Sequence, residues 1–304
     1  MFDAERRDYE GGVYVILTLG NATGHIASAP VWDNERSTVD GIRRGHVVQV
    51  IGEVSEYRGR RQLQLTAPLR LLPTAGVDFS DLLPSVGPVD PYWEKLDEWR
   101  REIAKPRLAR VVSLFYDDDD FRSRYARCPA SVSGHHAALG GLLKHTVEVA
   151  AIARTIARVA GADVELVFAG ALLHDIGKLE AYRWDGLFDQ TDAGHLLGHV
   201  VLGAMMLDRR LAEETEPPCT PLERELLLHL VLSHHGRLEF GSPVLPMTLE
   251  AQVLHWADNA SAKTASMAEI LGEAFGEGLV SERRWQLGGG RAYKGTSDWG
   301  KPTS

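Results

Sequence analysis

The period of the apolar positions changes near residue 92, and that change divides the chain. Before it, four short runs rich in β-branched residues read as strands: 13–19 (VYVILTL), 25–32 (HIASAPVW), 46–54 (HVVQVIGEV) and 61–66 (RQLQLT). Turn residues bound them, Asn21 to Gly24 and Tyr57 to Arg60. After it, apolar residues recur every three or four positions over 93–116, 139–160, 163–174, 195–214, 221–235 and 248–275, which predicts helices. Pro106 breaks or kinks the first of these. Between the two parts, Pro73, Pro84, Pro88 and Pro91 mark a linker. The acidic run Asp117–Asp120 predicts a solvated loop or a helix cap, and the Gly-rich polar end a tail.

The expected protein is therefore mainly α. A small β module covers 1–75, a linker 76–92, an all-α domain 93–280 and a flexible tail 281–304. Strands that follow one another without a long helix suit an OB-like β-barrel better than a βαβ unit. With 304 residues, 44% apolar and 25% charged, the chain has a globular composition. It holds no bilayer-length apolar run, and its first residues do not read as a signal peptide, so no membrane partner and a cytoplasmic location are expected. Cys128 and Cys219 give neither a disulfide framework nor a paired zinc spacing. The formal net charge of -9 argues against nucleic-acid binding by bulk charge but leaves room for a local basic groove. Residues 1–94 contain no lysine, so guanidinium groups would make any phosphate contacts there.

Candidate chemistry is concentrated in the helical part. His145, the pair His174-Asp175, His199, the pair His234-His235, and Asp258 lie in or at the ends of predicted helices. Imidazole and carboxylate together are ligands for divalent transition metals. His174-Asp175 closes an apolar run (AGALLHDIGK), and an aspartate buried there is costly without a cation or donors. One ion held by His145, His174, Asp175 and Asp258 answers that cost. Asp175 has a second oxygen and can bridge to another ion completed by His199 and one of His234 and His235. Two such ions clamp a phosphoester and activate water between them. Lys178, one turn after His174, is placed to steady phosphate oxygens. The alternative is a buried polar network with no ion; seven groups in the order H…HD…H…HH…D favour the metal. His135 and His136 either support a ligand or touch substrate, and His255 either packs or supports a ligand.

Longer stretches carry a resemblance. HDIGK within the order H…HD…D resembles the HD-domain metal-dependent phosphohydrolases. CPASVSGHHAALGGLLKHTVEVA, LLHDIGKLEAY, DAGHLLGHVVLG, LVLSHHGRLEFGSPVLP and LHWADNASAK are similar to blocks of the bacterial YhaM-type 3′–5′ exoribonucleases. LTLGNATGHIASAPVWD and GHVVQVIGEVSEYRGRRQLQL resemble that family's OB-fold domain, so the likeness covers most of 11–280. It implies an α-helical HD domain, two divalent ions and removal of nucleotides from a single-stranded RNA 3′ end, with DNA as a further substrate. Manganese is the first expectation; iron, nickel, cobalt, zinc and magnesium also suit such donors. By matching position, His145, His174, Asp175 and Asp258 are core ligands, with His199, His234 and His235 for the second ion. Two departures stand out. Only about a dozen polar residues precede the LTL strand, so the barrel is expected to lack its first strand. Such an open edge needs a cover, which a second copy of the chain would supply. Ser261 stands where the family pattern usually has an aspartate.

Single strands bind OB modules through aromatic stacking and basic side chains. Trp32, Tyr57, Arg58, Arg60 and Arg61 are the candidates; the competing reading packs Trp32 inside the barrel and leaves the arginines in a solvated turn. Two other functions compete with the exonuclease. One is an HD phosphodiesterase for cyclic dinucleotides or nucleotides, which HHGRLEFGSP fits poorly because the glycine-tyrosine-proline signature of that group is missing. The other is a non-catalytic nucleic-acid-binding regulator, which would not need the full ligand set.

Overall fold

The computed structural model describes residues 3–32, 39, 41–73, 77, 79–134, 136–273, 275 and 278–295. Its N-terminal part is built on a six-stranded sheet. β1 (Asp3–Tyr9) pairs antiparallel with β2 (Gly12–Asn21), and β2 pairs with both β3 (Gly24–Ser28) and β4 (Val31–Trp32). β5 (Val48–Gln49) pairs with the distant β8 (Arg70–Leu71) as a separate ribbon, while β6 (Gly52–Tyr57) and β7 (Arg60–Leu65) form a hairpin. β7 joins β3 in parallel, which gives the order β1-β2-β3-β7-β6. Among the described residues this sheet does not close into a barrel.

β1 corrects the expectation of a missing first strand. Tyr9 faces Gly12 across a two-residue turn, and the pairing runs to Asp3 opposite Thr18. The strand has no apolar face and is exposed from Ala4 to Tyr9, so no alternation marks it; main-chain hydrogen bonding and the turn make it. Its charges also discourage edge-to-edge pairing. Two other strand expectations are trimmed. Pro30 splits 25–32 into β3 and β4, because proline cannot donate to the ladder. The run 46–54 breaks between β5 and β6. The core of this part is thin: Leu17 and Leu19, packed by Val15, Ile26, Val48, Leu63 and Leu65.

The proline-rich stretch is a joint rather than a bare linker. Phe79 and Leu83 are buried with Leu139, and Val47 from the sheet part and Trp184 and Phe188 from the helical part pack on them. Leu139 N–H donates to the Pro84 carbonyl at 2.7 Å.

The helices begin with α1 (Asp90–Arg100) and α2 (Pro106–Tyr116), separated where Pro106 demands and with that proline in the first turn of α2. α3 (Asp119–Tyr125) lies where a loop or cap was expected: the Asp118 carboxylate caps it by accepting from Phe121 N–H, and Phe121 and Tyr125 are buried. α4 (Gly141–Ala160) and α5 (Val164–Leu173) follow. α5 is apolar on every side and is surrounded by α2, α4, the later α8 (Pro221–Ser233) and α9 (Leu249–Gly272), as an all-apolar helix requires. The short α6 (Lys178–Ala181) leads into the ribbon β9 (Tyr182–Arg183) and β10 (Asp189–Gln190), then α7 (Asp192–Ala212). Thr220 and Glu223 form a capping box that starts α8. In the expected tail, of which 296–304 lie outside the described residues, Val280 pairs with Tyr293 and Arg284 with Gly290 in a hairpin whose Ser281 and Ala292 are buried. No helix among the described residues is long and apolar enough to cross a membrane.

Candidate metal centre

Four helix ends or faces converge on Asp175. His174 and Asp175 follow the last residue of α5, in the turn before α6. That turn lies against α7: a Cβ on Gly177 would meet the His199 carbonyl at 2.1 Å and Gly203 N at 2.3 Å, so only glycine allows this approach. His199 follows Gly198, whose backbone (φ 73°, ψ 155°) interrupts α7. His234 and His235 end α8, His145 lies in the second turn of α4, and Asp258 lies in mid-α9.

The side chains form two trios around one carboxylate. His145, His174 and Asp258 bring ligand atoms within 4.8 Å of one another, and so do His199, His234 and His235. Asp175 Oδ2 lies 3.5 Å from His145 Nε2 and 3.1 Å from His174 Nε2. Asp175 Oδ1 lies 3.4 Å from His199 Nε2 and 3.7 Å from His234 Nε2. Each trio thus faces its own oxygen. His145 Nε2 is 3.0 Å from Asp258 Oδ1 and 3.4 Å from His174 Nε2.

The imidazoles are turned with Nε2 inward. His174 Nδ1 donates to the Ala171 carbonyl (2.8 Å), His234 Nδ1 to Val231 (2.7 Å) and His235 Nδ1 to Phe240 (2.6 Å). A carbonyl only accepts, so each Nδ1 carries a proton, and Nε2 is the nitrogen turned into the site. His255 supports this from behind by donating to the His234 carbonyl at 2.9 Å.

Electrostatics prepare the same donors. Burial alone would raise the Asp175 carboxyl, but the charges of His174 and Lys178 beside it hold it well below the usual range. Asp258 is likewise depressed, burial being outweighed by the His145 hydrogen bond. Burial pushes His199 down to about 3 and His234 well below its ordinary value. Burial also lowers His145, whereas contact with Asp175 outweighs burial at His174 and raises it. Lys178 Nζ donates to Asp175 Oδ2 at 2.6 Å, and this carboxylate raises its pKa against burial. The ammonium is therefore engaged with Asp175 and is itself buried.

A divalent cation fits this donor set. Asp175 Oδ1, His199 Nε2 and His234 Nε2 are all buried, have no hydrogen-bond partner and converge on one another. Three orphaned polar atoms so close together are costly, and a shared cation satisfies them together.

The remaining candidates divide. His135 lies outside the described residues. His136 is buried, with Nε2 2.9 Å from Glu148 Oε2, so its ring supports the centre's surroundings rather than facing solvent. Trp32, Tyr57, Arg58, Arg60 and Arg61 all line one groove of about 900 Å³ on the sheet part, with Arg7 and Tyr14. Trp32 is 40% exposed, and its ring centroid lies 5.0 Å from that of Tyr9 and 5.1 Å from that of Tyr14. Arg58 and Gly59 both take positive φ in a two-residue turn that holds the arginines at the rim. Glu148 was missed in the sequence; its one signal is its place three residues after His145, on the same face of α4.

Comparison with known proteins agrees with this geometry. The HD domain family model matches residues 142–263. The 3′-5′ exoribonuclease YhaM of Bacillus subtilis (strain 168) is 31% identical over 288 residues, covering 94% of this chain and 90% of the relative. Its namesake from Oceanobacillus iheyensis is 30% identical, covering 93% and 88%, and that from Shouchella clausii is 31% identical, covering 92% and 86%. No solved structure matches.

Proposed function

The chain belongs to the HD-domain family of the YhaM 3′-5′ exoribonucleases, and from that premise we propose that it is a divalent-metal-dependent exonuclease. It is a hydrolase, and its substrate in this reading is single-stranded RNA, degraded from the 3′ end, with single-stranded DNA as a further substrate. The observation that carries the metal requirement is the single carboxylate of Asp175 shared between two trios of ligands. Manganese is the metal we favour, and the mixed imidazole and carboxylate donors also accept iron, nickel, cobalt, zinc or magnesium.

His145, His174, Asp175 and Asp258 would hold one ion, and Asp175, His199, His234 and the adjacent His235 the other. When bound, such ions lower the pKa of water and neutralise charge on a phosphodiester. Lys178 fixes the Asp175 carboxylate, and from that buried place its positive charge would act on phosphate oxygens through the centre. Asp258 and His199, partly exposed at 15% and 17%, are the candidate ligands a strand end would reach from solvent. In this reading residues 1–75 are an OB-like module, 93–280 the HD domain, and the enzyme works in the cytoplasm. The groove of Trp32, Tyr57, Arg58, Arg60 and Arg61 holds the strand by stacking and phosphate contact.

The test is to incubate 5′-labelled single-stranded RNA with the manganese-loaded protein and follow product length. Stepwise shortening of the label with release of mononucleotides is expected. An intact strand, alongside hydrolysis of a cyclic dinucleotide in the same panel, would move the assignment to a small-nucleotide phosphodiesterase.

A further inference from the structure

A partly buried polar chain, its Glu148 end 34% exposed, leads away from the centre and has no part in the scheme above. His145 Nδ1 lies 3.1 Å from Ser261 Oγ, Ser261 Oγ lies 3.0 Å from Glu148 Oε2, and His136 Nε2 lies 2.9 Å from that same oxygen. Proton logic fixes its direction. An ionised carboxylate only accepts, so the single Ser261 hydroxyl proton goes to Glu148. The Ser261 oxygen then offers a lone pair to His145, which donates from Nδ1. With an ion in place of the His145–Asp258 hydrogen bond, a proton kept on Nδ1 would leave the His145 Nε2 lone pair for the side where Asp175 and Asp258 lie.

His145 needs such a partner because of where it sits. His174 and His234 follow the last residues of their helices and donate to carbonyls three residues back. His145 lies inside α4, and a partner has to come from elsewhere. Helix spacing supplies one. Ser261 is three residues after Asp258 on α9, and Glu148 three after His145 on α4, so two packed helices each present one ligand and one supporting group. The far end is held rigidly: His136 has a left-handed backbone (φ 53°) and donates its N–H to Glu269 Oε1 at 3.1 Å. Strain of that kind persists only where the surroundings over-determine it.

We infer that Glu148 is the positioning carboxylate of the metal centre, acting on His145 through the Ser261 hydroxyl. The inference rests on the two-ion reading of the site. Partners that orient a metal-bound imidazole are worth about 10–100-fold in metal affinity. Manganese uptake by the metal-free protein, followed through the paramagnetic signal of the free ion, reads this directly. Ser261→Ala and Glu148→Gln should each weaken one of the two ions by about 10–100-fold. The two changes together should cost little more than one, because they cut the same chain. Ser261→Asp in the Glu148→Gln background, which sets a carboxylate directly against His145 Nδ1, should return affinity toward wild type. Wild-type uptake by Ser261→Ala and Glu148→Gln protein of unchanged melting temperature would overturn the inference while leaving the two-ion reading standing. Wild-type protein that takes up no manganese would overturn both.

Discussion

At the scale of single residues, the buried pair of Asp175 and Lys178 bears a large electrostatic cost. Removing one partner of a buried pair leaves an unpaired charge, at about 3–5 kcal/mol. Lys178→Met should therefore lower the stability of the chelator-treated protein by about that amount, and by clearly less once manganese is bound to compensate Asp175. Denaturant titration with and without metal checks this; equal losses in both would remove the cation from the account. The imidazoles predict a pH effect. His199 is held near 3 by burial, whereas an unfolded histidine titrates near 6.5. Between these values the unfolded chain binds a proton that the folded chain refuses, so stability falls as pH drops from about 6.5 toward 3. His234 acts in the same sense. The depressed Asp175 and Asp258 add a loss that begins as pH falls toward 3.8, whereas His174, raised by Asp175, contributes stability that is already complete below about 6.5 and is lost as pH rises above it. Thermal melts of metal-free protein across this range should show the decline, and His199→Gln should make it shallower.

At the scale of elements, the kink at Gly198 decides where His199 points. Its backbone (φ 73°, ψ 155°) is a region that only glycine occupies readily, and a Cβ there would meet nothing within 4 Å. Gly198→Ala should thus cost about 1–3 kcal/mol through backbone strain alone. It should weaken manganese binding while the circular dichroism spectrum keeps its helical form; unchanged affinity would mean that the kink does not aim His199. The long helices were legible because each buries one face or, in α5, all of them, and Pro106 and Asp118 act as the sequence suggests. β1 was not, because its charged residues are exposed and its pairing is made by main chain. α6 and the 280–293 hairpin escaped for a related reason: close glycine contacts and backbone bridges build them, and neither leaves a period. The grouping of the candidate ligands was legible from their order, but the Glu148–Ser261 chain was not, since hydroxyl relays carry no spacing signature.

At the scale of the whole molecule, a net charge of -9 coexists with a groove rimmed by Arg7, Arg58, Arg60 and Arg61. In the proposed reading, local charge rather than bulk charge would govern binding of a strand there. Each phosphate contact to a single strand contributes about 0.7 to the slope of log affinity against log salt. Arg60→Ala and Arg61→Ala should each lower that slope by about this amount, with hydrolysis of a small phosphodiester unaffected. An unchanged slope in oligonucleotide titrations would take the strand out of this groove. The division into a sheet part and a helical part was visible in the change of apolar period, but the packing of Phe79, Leu83 and Leu139 between them depends on contacts that only the fold reveals. The account as a whole turns on Asp175 as the group common to both ion sites. The direct test is to count manganese bound per chain, by equilibrium dialysis, in wild type and in Asp175→Asn. Two ions in wild type, with both lost or greatly weakened in the variant, are the predicted result. A wild type that holds none, or a variant that still holds two, would contradict it.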